Sequence, residues 1–477
     1  MISLSKNKRI HFIGIGGGGM SAIARILLEM EYKVSGSDLK ESISTIRLKD
    51  FGATIYYGHT EANLRLADVV VVSTAISHDN PEYAFAVAEK LPILHRAQML
   101  GLLMDEFSHR ISVCGTHGKT TTSSMITRIL EFGGKKPTFL IGADLNDYGS
   151  NAMLGGLDYF VAESDESDGS FLHLSPSIGV FNNLEPEHMD YYKTWENVIA
   201  HFHKFMAGVV DRGGYMVINA DEPALVDIAT QFDRSKSLYF GIQTDASVRA
   251  VDLQFSPEGA HYTLMIDGKS AGEVYLKVHG VHNIYNALAA TVVALNEGIS
   301  VDTIKKSLFN FTGTKRRFQL IGEVNSISVY DDYGHHPTEI RVTLDGARRS
   351  LNRRIVCIFQ PHRYTRTRDL LEVFPTSFEA AGLVVITEVY SANEQKIRGV
   401  SGRLIVDKMK ANGFDNVMFV ANKSMVASKL IPLLRPDDVV ITMGAGDISS
   451  VGKEIVAQLK SSPKELRPVG DADSHTA

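Results

Sequence analysis

Residues 110–130 read RISVCGTHGKTTTSSMITRIL, and this stretch decides the fold. An apolar, β-branched run ends at Cys114, a glycine-rich loop follows, and a helical pattern opens at Lys119. A strand that turns through glycines into a helix is the arrangement that cradles phosphate. Its backbone N–H groups surround the anion, Lys119 neutralises β/γ charge, and a Thr hydroxyl reaches magnesium. The loop Gly115-Thr116-His117-Gly118-Lys119-Thr120-Thr121 is two residues shorter than the G-x-x-x-x-G-K-[ST] pattern, because Val113 stands where the first glycine belongs. That departure separates the chain from switch GTPases and motor ATPases.

Strand–helix alternation extends in both directions from this unit, which argues for parallel sheets covered by helices. Upstream, strands are expected at residues 9–15, 33–37, 54–57, 69–73 and 93–95, with a helix over 20–28. Downstream, apolar strands are expected at 159–162, 178–181 and 214–219. Residues 248–278 change to polar/apolar alternation, as in an antiparallel hairpin at a sheet edge. A helix returns over 283–295, and strands at 326–330, 354–359, 383–387, 416–419 and 439–443 make a third region. The length of 477 residues fits about three domains.

Composition narrows the function. Apolar residues make up 44% and charged residues 22%, which excludes disorder as the main state. Lys plus Arg number 49 against 55 Asp plus Glu, for a formal charge of −6, and a nucleic-acid binder would show a basic excess instead. The two cysteines, Cys114 and Cys357, lie in apolar strand-like runs, so buried thiols are expected rather than a disulfide framework. No run approaches the ~20 apolar residues of a membrane span. A cytoplasmic location without membrane attachment is the expectation.

Further motifs carry chemistry. Gly14-Ile15-Gly16-Gly17-Gly18-Gly19 fits G-x-G-x-x-G between a strand and a helix, with Asp38 at the end of the next strand. The loop suits a diphosphate at a helix N-terminus, of a dinucleotide or of a nucleotide-sugar, and also a tight turn without a ligand. Taken alone it would indicate a nicotinamide or flavin enzyme, such as an NAD-dependent oxidoreductase. Glu163, Asp165, Glu166 and Asp168 follow a strand in YFVAESDESDGSF, and His188 follows another in NLEPEHMDYY. Carboxylates at strand ends beside a phosphate loop suit magnesium. Asp168 as a helix cap and Glu166 as a solvated loop charge are the plain alternatives. His282, Asn283 and Asn286 open a helix, where amides can meet a purine ring or Asn283 can act as an N-cap. Lys315-Arg316-Arg317, the loop from Asp331 to Pro337, and the loop from Gln360 to Arg366 are crowded with Asp, His and Arg after apolar strands, which favours anion binding.

Together GTHGKTTT, ESDESDGSF, NLEPEHMD, HNIYNALAA, GTKRRFQ, DDYGHHPTE and QPHRYTRT resemble the Mur ligase family of peptidoglycan synthesis, in the family's order and over nearly the whole chain. GIGGGGMSAIA, DDYGHHPTE and QPHRYTRT are similar to the branch that adds L-alanine to UDP-N-acetylmuramate; the murein tripeptide recycling ligase is the nearest sibling. The resemblance implies an α/β fold of three domains. These are a Rossmann-like domain for the UDP-sugar (1–108), a P-loop ATPase-type central domain (109–314) and a Rossmann-like C-terminal domain for the amino acid (315–460), with a disordered tail (461–477). It implies ATP and Mg²⁺ as cofactors. Gly14, Gly16, Gly17, Gly19, Asp38 and Ser73 would meet the sugar nucleotide. Lys119 and Thr120 would meet ATP phosphates and metal, with Glu163 and His188 serving the metal. His282, Asn283 and Asn286 would lie near adenine, Arg316 near the phosphates, and Asp332 at the ribose or a domain contact. Tyr333, His335, Arg363 and Arg366 would surround L-alanine. The base that deprotonates the amine is His335 or His188 on this reading. The carbamylated lysine of later-step members is not expected, because the count from His188 falls on His203, with Lys204 beside it.

Overall fold

The structure, a computed structural model, describes residues 4–461. It is a mixed α/β chain with three sheet-containing domains, as the strand–helix alternation implied. The first sheet contains β1 (Arg9–Ile13), β2 (Lys33–Asp38), β3 (Thr54–Tyr57), β4 (Val69–Val72) and β5 (Ile93–His95), in the order β3-β2-β1-β4-β5 and all parallel. Its middle strands are buried on both faces, which accounts for runs such as Val69–Val72 that carry no polar residue.

The second sheet has ten strands: β6 (His109–Cys114), β7 (Thr138–Leu145), β8 (Ser150–Met153), β9 (Tyr159–Glu163), β10 (Ile178–Phe181), β11 (Tyr215–Asn219), β12 (Ser237–Gly241), β13 (Val248–Ser256), β14 (Gly259–Ile266) and β15 (Lys269–Leu276). Their order is β15-β14-β13-β12-β11-β10-β6-β9-β7-β8. The phosphate-loop strand β6 pairs in parallel with β10 and β9, so the loops that follow these three strands leave the same edge. The alternating stretch became the meander β13–β15 at one end. β7, β8 and β12 were not expected. The third sheet, β16 (Gln319–Val324), β17 (Ile327–Asp332), β18 (Ile355–Phe359), β19 (Leu383–Ile386), β20 (Val417–Phe419) and β21 (Val439–Met443), has the order β16-β17-β21-β18-β19-β20. Only β16, half exposed at the edge and also unexpected, runs antiparallel. Both cysteines are buried and burial pushes their thiols up, which keeps them inert.

Two compact units are defined. One comprises Met1–Asp252, Tyr262–Tyr275 and Ile284–Phe311; the other comprises Leu253–His261, Leu276–Asn283 and Thr312–Ala477. Within the first unit the two sheets share one apolar core that runs from Ile10 and Phe12 to Phe160, Phe202 and Met216. Polar clasps join them: Arg25 donates to Ser150, and Glu29 Oε2 accepts from Leu154 N at 2.9 Å. The expected tail lies outside the described residues except for Ser461, which ends the last helix (Ser449–Ser461). Among the described residues no helix is long and apolar enough to cross a membrane.

The helix Arg96–Met104 comes close to the second domain at Gly101, where an added Cβ would lie 2.3 Å from the His173 carbonyl oxygen. Gly101→Ala is therefore expected to destabilise the chain by roughly 1–3 kcal/mol, as overpacking does. Urea unfolding checks this; an unchanged midpoint would contradict it.

Candidate active site

The N-terminal glycine loop is held by the end of β2. Gly14 (φ +77°) and Ile15 donate their N–H groups to the Ser37 carbonyl at 2.8 and 2.9 Å, and Gly16 N donates to Asp38 Oδ2 at 2.9 Å. The helix Gly18–Glu29 begins directly afterwards, so its first-turn N–H groups form an anion-favouring end. Gly19 is small because the Arg96 guanidinium packs on it, 2.9 Å from where a Cβ would sit. Arg96 also pairs with Asp165 at 3.1 Å. Asp38 thus clamps its own loop here. Gly17 N donates to Gly14 O at 3.2 Å, and the Ser73 carbonyl accepts from Ile76 N at 3.1 Å.

The phosphate loop follows β6 as expected. Gly118 (φ +80°) caps the helix Lys119–Phe132 in the left-handed region that favours glycine, and Gly115 (φ +133°) lies against the Asn183 backbone. The loop after β10 braces it. His117 N donates to Asn183 Oδ1 at 2.7 Å, Thr116 N to the Asn183 carbonyl at 3.2 Å, and Glu185 N to Thr116 Oγ1 at 2.9 Å. Deeper in, Thr122 bridges Asn182 and Asn286, both at 3.0 Å. Thr121 is buried in the same turn. Asn182, Asn183 and Glu185 had not been singled out in the sequence, because asparagines after a strand look like ordinary turn residues.

Lys119 Nζ lies within this loop. It donates to the carbonyls of Gly115 (2.6 Å) and Thr116 (3.1 Å) and to Glu166 Oε1 (2.8 Å). Burial alone would lower its pKa, but the Glu166 carboxylate overrides that and raises it, so the ammonium stays charged. Burial pushes Glu166 up, and Lys119 offsets part of that. Glu166 is buried and not a solvated loop charge. Asp168 is not the cap of the following turn, which is Gly169; its Oδ1 accepts from Ser170 N at 2.9 Å, one residue ahead of the cap position.

Two oxygen-rich positions flank Lys119. Thr120 Oγ1 donates to Glu163 Oε2 at 3.2 Å, and Glu163 Oε1 accepts from Gly142 N at 2.6 Å. On the other side, Glu166, Glu187 and His188 bring one potential ligand atom each to within 4.8 Å of the others. Glu166 Oε2 is buried without a hydrogen-bond partner, and such an atom suits a hard cation. His188 holds a left-handed backbone (φ +56°) at the start of a short helix.

The second unit gathers its own cluster at the carboxyl ends of β17, β18, β19 and β21. Arg316 donates from Nε to Asp331 (3.0 Å), from Nη1 to the Gly446 carbonyl (3.1 Å) and from Nη2 to the Gly444 carbonyl (2.7 Å). Asp332 accepts from Phe318 N (2.8 Å) and Gly334 N (2.7 Å). Burial drives its carboxyl up to about 6, with Arg317 opposing. Tyr333 lies under the guanidinium groups of Arg316 and Arg317, and the edge of His335 meets its ring. His335 N donates to Glu339, and His336 caps the following helix. His362 stacks on Tyr390, faces His335 with ring centres 5.5 Å apart, and bonds Arg366 at 3.2 Å. Burial first, then His335, Arg366 and Arg363, depress its pKa to about 3, so the imidazole is neutral. His362 and Tyr390 join the expected residues; Tyr390 carries no motif of its own. Arg363 is exposed and has a positive φ of +70°, a backbone strain held by its N–H donating to the Tyr390 carbonyl at 2.8 Å. His282 and Asn283 also belong to this unit; Asn283 donates to the His279 carbonyl at 2.7 Å and does not cap the helix Val281–Asn296.

Comparison with known proteins covers this whole layout. Residues 9–108 match the Mur ligase family catalytic domain, 113–294 the Mur ligase middle domain, and 316–446 the Mur ligase glutamate ligase domain. The chain is 43% identical over 455 residues to the UDP-N-acetylmuramate–L-alanine ligase of Myxococcus xanthus, covering 95% of this chain and 96% of that one. It is 44% identical over 461 residues to the enzyme of the same name from Pelotomaculum thermopropionicum, covering 97% and 100%. Among solved structures it is similar to the UDP-N-acetylmuramate–alanine ligase MurC of Thermotoga maritima, at 29% identity and a TM-score of 0.80 over 95% of this chain and 99% of that one. A murein peptide ligase from Psychrobacter arcticus follows at 26% identity and 0.68, over 95% and 98%.

The raised Asp332 carboxyl has a stability consequence. Its folded pKa of about 6 exceeds the unfolded value, so the native state binds the proton more readily. Its contribution is present at low pH and lost as pH rises through about 6. The melting temperature of Asp332→Asn, relative to the parent, should therefore rise between about pH 3 and pH 7, roughly the span that brackets both values. A flat difference in calorimetry across that span would contradict the assignment.

Proposed function

The chain belongs to the Mur ligase family, and we propose that it joins L-alanine to the lactyl carboxylate of UDP-N-acetylmuramate, with ATP cleaved to ADP and phosphate. The observation that carries this reading is the likeness to the alanine-adding ligases over 95% or more of the chain. The phosphate loop supports ATP use. A nicotinamide enzyme, suggested by the glycine loop alone, would leave that loop and the Arg/His cluster of the second unit without a task. In our reading the sugar-nucleotide domain is residues 1–108, the ATP domain 109–314 and the alanine domain 315–460, and the reaction takes place in the cytoplasm.

The chemistry follows from charge. The lactyl carboxylate attacks the γ-phosphorus of ATP, which brings two anions together. Lys119, moving from Glu166 to the phosphate oxygens, offsets the repulsion and leaves ADP stabilised as it departs. The Thr120–Glu163 pair and the Glu166–Glu187–His188 group would hold Mg²⁺, which when bound spreads the phosphate charge. Transfer leaves an acyl phosphate. The neutral amine of L-alanine then adds to its carbonyl and expels phosphate. Arg363 and Arg366 present two forks for the alanine carboxylate, and neutral His362 orients Arg366. We assign the base that takes the amine proton to His335 or His188; Glu339 accepts from the His335 backbone N–H at 3.0 Å. We assign Tyr333 to L-alanine, His282, Asn283 and Asn286 to adenine, Arg316 to the phosphates, and Asp332 to the ribose or a domain contact.

Phosphate release should require UDP-N-acetylmuramate and L-alanine together; release with neither present would contradict the reading. Lys119→Ala should abolish ligation while calorimetry still shows UDP-N-acetylmuramate binding, and full activity in that variant would remove Lys119 from the reaction. Arg366→Ala should raise the KM for L-alanine by about tenfold or more, as loss of a charged fork does, with the KM for ATP unchanged. An unchanged alanine KM in folded protein would place Arg366 elsewhere.

A further inference from the structure

Beneath the first sheet lies a charged cluster that the mechanism above does not use. Glu82, in the helix Pro81–Ala88, is completely buried, as are His11 of β1 and Ser37 of β2. Its two oxygens are fully engaged. Oε2 accepts from Ser37 Oγ at 2.5 Å, lies 3.3 Å from His59 Nδ1 and 3.7 Å from His11 Nε2, while Oε1 accepts from Asn63 Nδ2 at 2.5 Å. His11 is fixed in turn by Ser35, at 3.0 Å. Burial pushes the Glu82 carboxyl up, but the contacts from His11, Ser37 and Asn63 outweigh it and hold it at about 2.

A buried carboxylate of this kind is a poor way to stabilise a core. An apolar group of similar volume is often as good or better, because removing a charge from water costs several kcal/mol. The destinations of its bonds are more informative than their number. Ser37 is the residue whose carbonyl receives Gly14 N and Ile15 N, and the next residue, Asp38, receives Gly16 N. His59 and Asn63 follow β3, and Asn63 also donates to the Gly58 carbonyl at 3.1 Å, while Gly58 N donates to the Asp38 carbonyl at 2.8 Å. Three of the contacts that Glu82 makes, to Ser37, His59 and Asn63, therefore end at the carboxyl edge of β2 and β3, on the segments that hold the glycine loop. Its own helix is capped independently by Asn80. The cap does not depend on Glu82, whereas three of the four contacts of its carboxylate lie at the loop edge.

We propose that Glu82 is a positioning residue for the sugar nucleotide: through Ser37, His59 and Asn63 it fixes the ends of β2 and β3, and with them the glycine loop on which the diphosphate of UDP-N-acetylmuramate rests. Glu82 touches no substrate itself. The proposal rests on the functional reading above and adds a residue from outside every motif that led to it. Neutralising the carboxylate would leave Ser37, His59 and Asn63 competing for one amide oxygen and facing an NH₂ group, so the loop edge would lose its common anchor.

The test is steady-state kinetics of the full chain carrying Glu82→Gln, with UDP-N-acetylmuramate binding measured separately by calorimetry without ATP. The KM and Kd for UDP-N-acetylmuramate should rise by about tenfold, with kcat and the KM values for ATP and L-alanine within about twofold of the parent. Glu82→Asp, which keeps the charge but shortens the reach, should fall between the parent and Glu82→Gln. A purely structural role would instead lower kcat and disturb all three KM values together, and that result, or an unchanged Kd in folded Glu82→Gln protein, would overturn the proposal. If Glu82→Gln does not fold, Asn63→Ala removes one of the same contacts at a partly exposed position. Its Kd for UDP-N-acetylmuramate should rise alone, and an unchanged value would count against the proposal. Parent protein that binds no UDP-N-acetylmuramate would overturn the functional reading and this inference with it, whereas normal binding by both parent and variant would overturn this inference only.

Discussion

One ammonium group, Lys119 Nζ, holds the arrangement together. A reaction that drives a carboxylate into a triphosphate must overcome repulsion between like charges, about 4 kcal/mol per pair at 4 Å in a partly buried setting. The protein keeps a partly buried, charged lysine in the phosphate loop to meet that demand, and before substrate arrives the lysine needs a partner of its own. Two loop carbonyls and Glu166 supply it. The neighbouring strands follow from this requirement. β6 must turn through glycines to bring the lysine forward, β9 must end in carboxylates, and β10 must end in the asparagines that brace the loop.

Much of this was legible in the sequence, because steric and charge constraints write themselves into residue type. Gly118 needs a left-handed backbone, and the turn from Cys114 to Lys119 could be read directly. Strands buried on both faces announced themselves as unbroken apolar runs, and the meander as alternation. β16 did not, since an edge strand with one exposed face and a glycine has no strong pattern. β7 escaped because its apolar start is followed by Gly142 and polar residues that resemble a loop. In the site, the spacing of Glu163 and Glu166 showed two carboxylates but not which faces inward. Only the fold shows Glu163 on Thr120 and Glu166 on Lys119.

The same distinction applies to the two glycine loops. The N-terminal motif was read as room for a diphosphate, yet the close approaches at Gly16 and Gly19 are made by Asp38 and Arg96 of the chain itself. The sequence showed that something must come near; the structure shows what does. Arg316 carries a similar lesson, because its guanidinium orders the Gly444–Gly446 backbone of its own sheet edge. The net charge of −6 also conceals local structure: residues 315–368 hold eleven Lys/Arg against five Asp/Glu, so a basic segment carries the Arg/His cluster within an acidic chain.

The central claim is that the sugar-nucleotide carboxylate attacks ATP to form an acyl phosphate, with Lys119 offsetting the charge. Turnover of UDP-N-acetylmuramate labelled with ¹⁸O in its lactyl carboxylate, followed by mass spectrometry of the released phosphate, tests it most directly. The account predicts phosphate that carries one ¹⁸O atom per turnover. Unlabelled phosphate, with the displaced ¹⁸O appearing in water instead, would contradict it.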